Sequence, residues 1–159
     1  LALAAETAAR RRGLAARVLT AALEGDVEEV ARRLVVATRA AQPGELLVAV
    51  GEPTLCLPPS PGRGGRATHL ALALAERLRG QRGWRALVAG SDGIDGTGPA
   101  AGAVVDGDTF DQLAAAGIDG AAALARCDAG SALGAIGAAV VTGATGVNHA
   151  DLVLLGGAW

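Results

Sequence analysis

GRGGRATHLALALAERLRGQRGWRALVAG, residues 62–90, carries three structural signals in succession. Gly62-Arg63-Gly64-Gly65-Arg66 is too rich in glycine to be anything but a loop, the Ala- and Leu-rich run from about Ala67 to Arg79 predicts a helix, and Arg85–Ala89 predicts a short buried strand. Gly90 then opens a second glycine-rich loop that lasts to Pro99. A helix and a buried strand joined by loops of this kind are the unit of an α/β domain, in which a sheet is covered by helices.

The pattern extends in both directions. Leu1–Arg12 predicts a helix stopped by Gly13, and Ala16–Thr20 a short strand. Between Asp26 and Thr38, Val27, Val30, Ala31, Leu34 and Val35 recur at three- and four-residue steps, with Glu28 and Glu29 leading and arginines following, which suits the helix dipole. Pro43-Gly44 breaks the chain before a buried strand at Glu45–Val50, and a further strand is expected around Thr54–Leu57. Pro58–Gly65 is loop; Ala100–Ile136 reads as Ala-rich helical segments; Ala139–Val141 and Leu152–Leu155 close the chain as strands. The fold class expected is α/β, with a mixed, largely parallel sheet and helices on both faces.

A chain of 159 residues fits one domain and buries roughly two-thirds of the surface it exposes when unfolded. Ala, Val and Leu dominate the apolar half, with one Phe and two Trp, so the core must rest on small aliphatic packing. All fourteen basic residues are Arg and are scattered among acidic ones, giving a net charge of −2, which argues against nucleic acid or an anionic membrane as partner. The absence of Lys rules out a Walker-type phosphate loop within these residues. Cys56 and Cys127 follow no metal spacing and read as reduced, half-buried thiols of a cytoplasmic protein. Leu1 enters helical periodicity directly, as if something preceded it.

Three glycine-rich loops border predicted strands, where open α/β sheets bind ligands. Gly62–Arg66 leads into a helix whose first amides, with a guanidinium alongside, make a competent anion site. Gly90–Pro99 holds Asp92 and Asp95, two carboxylates each followed by Gly, able to converge on one magnesium ion or on substrate hydroxyls. Thr142–Asp151 offers glycines, hydroxyls and an amide that could cradle a phosphate. His69 and His149 have no carboxylate or nucleophile at a telling spacing and read as structural or surface residues. A Gly-x-Ser-x-Gly elbow and a dinucleotide fingerprint are both missing, which disfavours a serine hydrolase and a nicotinamide-dependent reductase.

Taken in order, Gly51-Glu52-Pro53-Thr54, Gly62-Arg63-Gly64-Gly65-Arg66, Ser91-Asp92-Gly93-Ile94-Asp95-Gly96, Ala101–Asp106, and Thr142-Gly143-Ala144-Thr145-Gly146-Val147-Asn148 with Asp151-Leu152 resemble the MOFRL domain of glycerate 2-kinases. The resemblance implies residues 46–159 as that domain, 1–45 as a connecting segment of the same unit, and a Rossmann-like amino-terminal domain in the parent enzyme. It implies transfer of ATP phosphate to D-glycerate, giving 2-phosphoglycerate, with Mg2+ in a cleft between the two domains and no activity in the isolated chain. Arg66 and Asp92 would be catalytic, Asp92 and Asp95 would hold the metal, and Gly64, Gly65, Asp95, Gly96, Thr142, Gly143, Thr145, Gly146 and Asn148 would line the substrate and phosphate site. Monomer and homodimer both stay open. The sequence departs from the family's usual residues at Ala67, Thr68 and His69, where Asn-Gln-Glu is expected, and at Ala144, Val147 and Ala150, where Pro, Thr and Asn are expected. A remnant that binds ligands or oligomerises without catalysis is the alternative reading.

Overall fold

The computed structural model describes residues 1–157; the last two positions of the expected 46–159 domain lie outside it. Six strands, β1 Ala15–Leu23, β2 Glu45–Gly51, β3 Arg85–Gly90, β4 Gly102–Asp106, β5 Ala139–Val140 and β6 Asp151–Gly156, form one sheet in the order β1-β2-β6-β3-β4-β5. Only β1 and β2 run parallel; the pairs of β6 with β2 and β3, and of β4 with β3 and β5, are antiparallel. The sheet is therefore mixed but not largely parallel. The cause is β6, which comes last in the chain yet enters the middle of the sheet from the opposite direction.

Helices cover both faces unequally. On one face lie α2 Val27–Thr38, α3 Arg66–Leu78, α4 Thr109–Ala115, α5 Gly120–Ala125 and α6 Ala129–Ala135, against alternate strand residues such as Leu47, Ala49, Val88, Ala103, Val153 and Leu155. On the other, α1 Ala2–Arg11 sets Ala2 and Ala5 against Val48, Val50, Leu152 and Leu154. The whole run Ala67–Ala75 in α3 is buried. A helix apolar all round belongs inside a domain, and its alternating Ala and Leu let it lie among the sheet, α2 and α6 at once.

Local signals explain the ends of these elements. Asp26, in extended conformation, accepts the Glu28 amide at 2.9 Å and caps α2. Beyond the last turn of α1, Gly13 takes φ +81°, which glycine adopts without a Cβ penalty. Two expectations are corrected here. Thr54–Leu57 is not a strand, its one ladder contact being an isolated parallel bridge from Thr54 to Asp26, and Pro53 and Pro58 cannot donate to a neighbour on either side of it. Ala100–Ile136 is not all helical: Gly102–Asp106 is β4, whose first residue packs so closely on Val88 and Ala89 that any side chain there would collide with their backbone.

Candidate functional site

The register of the sheet builds the site. Because β6 is antiparallel to β2 and β3, its first residue, Asp151, pairs with Gly51 at the end of β2 and with Gly90 at the end of β3. The loops that leave those two strand ends and the loop that enters β6 therefore meet. Between them lies a crevice of about 300 Å³ lined by Gly65, Arg66, Gly90, Ser91, Asp92, Ile94, Asp95, Gly96, Asn148, Ala150 and Asp151. Arg66 and Asp92 thus line the same crevice.

The expected residues divide into three groups. Gly65, Arg66, Asp92, Asp95, Gly96 and Asn148 line the crevice. Gly64 lies behind it, beside Thr68 and Gly130. Thr142, Gly143, Thr145 and Gly146 are exposed and do not line it. Their loop acts instead as a strut. The Thr145 amide donates to the Asp92 carbonyl at 2.9 Å, the Thr145 hydroxyl to the Ser91 carbonyl at 2.5 Å, and the His149 amide to the Ser91 hydroxyl at 2.6 Å.

Asp95 does not stand free as expected of a metal or substrate ligand. Its Oδ1 accepts the Ala67 amide at 3.0 Å, and its Oδ2 accepts the amides of Gly65 at 3.0 Å and Thr68 at 2.7 Å and the Thr68 hydroxyl at 2.7 Å. Three of the amides that open α3 are spent on a carboxylate of the same chain, so the anion site read from the helix terminus is already filled from within. Gly65 is required there: a Cβ would occupy the place of the Asp95 carboxylate and the Gly96 amide.

Arg66 is differently placed. Its Nε lies 3.4 Å from Asp151 Oδ2 and its Nη1 lies 3.7 Å from Glu52 Oε2, beyond the usual reach of a charge-assisted hydrogen bond. The Arg66 side chain is 40% exposed and the Asp151 side chain 8%. Asp151 Oδ2 is buried with no hydrogen-bond partner among the described residues. Burial, only partly offset by Arg66 and reinforced by the charges of Asp95, Glu52 and Asp92, raises its pKa from 3.8 to about 6.

Asp151 and Glu52 are the site residues that sequence reasoning missed. Both stand in motifs quoted for the resemblance, but only the strand register reveals that they flank Arg66. The shifted carboxyl has a measurable cost. Its folded pKa lies above the unfolded one, so the folded chain holds a proton that the unfolded chain releases between about pH 4 and 6; stability falls as pH rises through that window. Asp151→Asn is expected to stabilise the chain by about 2–3 kcal/mol above pH 6, the gain fading toward pH 4, measured by urea unfolding across pH.

Ala150 also lines the crevice, with φ +76°. An L-residue with a Cβ holds this left-handed conformation at a cost, and Asn, which the family resemblance predicts at this position, tolerates it better. Ala150→Gly is expected to raise stability by about 1 kcal/mol in thermal or urea unfolding.

The crevice is lined by Asp92, Asp95 and Asp151, and Glu52 lies just outside it beside Arg66, an excess of negative charge that a cation would relieve. Among the described residues no three His, Cys, Asp or Glu side chains are grouped to hold a metal ion. Asp92 and Asp151 place their Oδ1 atoms 3.0 and 3.5 Å from the position a Cβ would take on Gly90, and Asp92 Oδ1 also accepts the Ile94 amide at 3.1 Å. Two carboxylates side by side nonetheless fit Mg2+, which takes one or two of them and completes its shell with water and phosphate.

A charged crevice where strand ends and glycine-rich loops converge is where α/β domains bind ligands. The chain belongs to the MOFRL family, whose profile matches residues 45–151. It is 34% identical over 94% of its length to the D-glycerate 2-kinase of Thermotoga maritima. It is 40% identical over 96% of its length to an Agrobacterium vitis protein with a provisional hydroxypyruvate reductase name. The chain spans 37% of the length of each. The crystal structure of a Thermotoga maritima glycerate kinase superposes on 96% of the chain with a TM-score of 0.90 and 33% identity, and 38% of that protein is covered. No helix among the described residues is long and apolar enough to cross a membrane.

Proposed function

We propose that the chain is the carboxy-terminal part of a cytoplasmic glycerate kinase that transfers the terminal phosphate of ATP to D-glycerate, giving 2-phosphoglycerate. The observation that carries this reading is Arg66: a guanidinium on the crevice rim, held by two long ion pairs and by no hydrogen bond to either carboxylate. Such a group can turn from Asp151 and Glu52 to an incoming phosphoryl oxygen at little cost, and phosphoryl transfer depends mainly on positioning and charge neutralisation. Asp92 and Asp151 would hold Mg2+, which when bound neutralises phosphate charge. Asn148, which lines the same crevice, orients substrate hydroxyls. Asp95 serves by fixing the turn that presents Arg66.

The rest of the catalytic apparatus, including any Lys, comes from a Rossmann-like amino-terminal domain, and the isolated chain is inactive. The departures at 67–69 do not weaken this reading. Ala67, Thr68 and His69 are buried, and none lines the crevice; Thr68 works as a cap, and His69 Nε2 lies 3.2 Å from Glu28 Oε1. Calorimetric titration of the longer protein, with its amino-terminal domain, tests the proposal: glycerate and ATP should each bind, and together turn over. Binding of one ligand without turnover would favour the non-catalytic remnant.

A further inference from the structure

A second crevice, of about 600 Å³, lies outside the site just described. It opens between the start of α2, the chain after β2, and α5, and both cysteines line it. Although 71 positions apart, they are neighbours: Cys127 Sγ is 3.9 Å from the carbonyl oxygen of Cys56. Their two segments run side by side. The Gly62 amide donates to the Arg126 carbonyl at 2.8 Å, the Arg63 amide to Asp128 Oδ1 at 2.9 Å, and the Gly130 amide to the Arg63 carbonyl at 2.8 Å. Cys127 itself takes φ +51°, one of two described residues other than glycine with positive φ, so the turn after α5 is bent at that residue.

The sequence treats these thiols as unrelated, and nothing in phosphoryl transfer uses them. We propose that Cys56 and Cys127 are a reversible oxidation site, closing to an intramolecular disulfide when the chain meets a peroxide. The order of events follows from access. Cys56 is exposed and Cys127 buried, and burial, with the charge of Glu28 adding to it, raises the Cys127 thiol and keeps it protonated. The Cys56 sulfur therefore attacks the peroxide, its O–O bond breaks, and a sulfenic acid forms at Cys56 while one oxygen leaves as water or alcohol. The Cys127 sulfur then attacks the Cys56 sulfur; the S–S bond forms, the S–O bond breaks, and the hydroxyl leaves as water with the Cys127 proton. The two thiols lose two electrons, and the peroxide gains them.

The bond would tie the beginning of the loop that ends at Arg66 to the turn between α5 and α6, reinforcing the three hydrogen bonds already there. Disulfides in reducing compartments are typically transient and sensing, and a small thiol reductant would reopen this one.

The test uses the chain itself. Hydrogen peroxide is added to the native protein, free thiols are alkylated in denaturant, and trypsin peptides are weighed. The proposal expects segment 40–63 joined to segment 127–159 with the loss of two hydrogens, in monomeric protein, reversed by dithiothreitol and absent from Cys56→Ser. It also expects a thermal midpoint raised by roughly 5–10 °C on oxidation. Cys56 is exposed, so Cys56→Ser should keep the native circular dichroism, and it decides the question even if Cys127→Ser fails to fold. Separate oxidation of each thiol, bridges only between two chains, or bridging only in urea would overturn the proposal. Its outcome does not depend on whether the crevice around Arg66 binds glycerate.

Discussion

Asp95→Ala is expected to lower the stability of the chain by about 3–5 kcal/mol, read as a fall in the urea midpoint with an unchanged slope. The size follows from what the carboxylate holds. Without it the amides of Ala67 and Thr68, on residues with no exposed surface, lose their acceptors, and so does the amide of Gly65. Each orphaned donor costs about 1–3 kcal/mol, and a lost helix cap alone costs about 1 kcal/mol. The helix concerned is α3, which lies at the centre of the main core. Asp95→Asn keeps one acceptor oxygen and should lose about half as much. A carboxylate that served only a metal would behave oppositely, with little change in stability and a loss of magnesium affinity.

The case of Asp95 marks where the sequence stops being legible. Helix periodicity at 26–38, the aliphatic runs at 45–50 and 85–89, and the glycine loops can all be read locally, because each depends on residues a few positions apart. What a carboxylate does depends on what folds beside it, and the partners of Asp95 are 27 to 30 positions away. The same limit hid Asp151: its place between Gly51 and Gly90 is a matter of register, and register follows from β6 entering the middle of the sheet. Strand β4 was obscured for a compositional reason. Its Gly-Ala start lacks the β-branched density of a strand, and Ala-rich sequence on both sides favours a helical reading. The loop 142–149 offered hydroxyls and glycines suited to a phosphate, yet the fold uses them to brace the Asp92 loop.

Arg66→Ala is expected to reduce glycerate-dependent turnover of the longer protein by at least about 10³-fold, with a change of less than about 1 kcal/mol in stability. The asymmetry is the informative part. The Arg66 side chain is 40% exposed and its ion pairs are long, so the fold gains little from it. A positive charge that meets developing negative charge in a dry cleft has a much larger effect on the transition state. Arg66→Lys should recover part of the loss at most, because an ammonium cannot span two oxygens as a planar guanidinium does. If Arg66→Ala instead lowered stability strongly and left turnover intact, Arg66 would be a structural partner of Asp151 and the crevice would not be the reaction site.

The most direct test of the whole account is phosphorus NMR of the longer protein incubated with ATP, magnesium and D-glycerate. A new phosphomonoester resonance that appears only with glycerate, at the position of 2-phosphoglycerate, together with ADP, is the predicted result. An unchanged ATP spectrum, or release of inorganic phosphate alone whether or not glycerate is present, would contradict it.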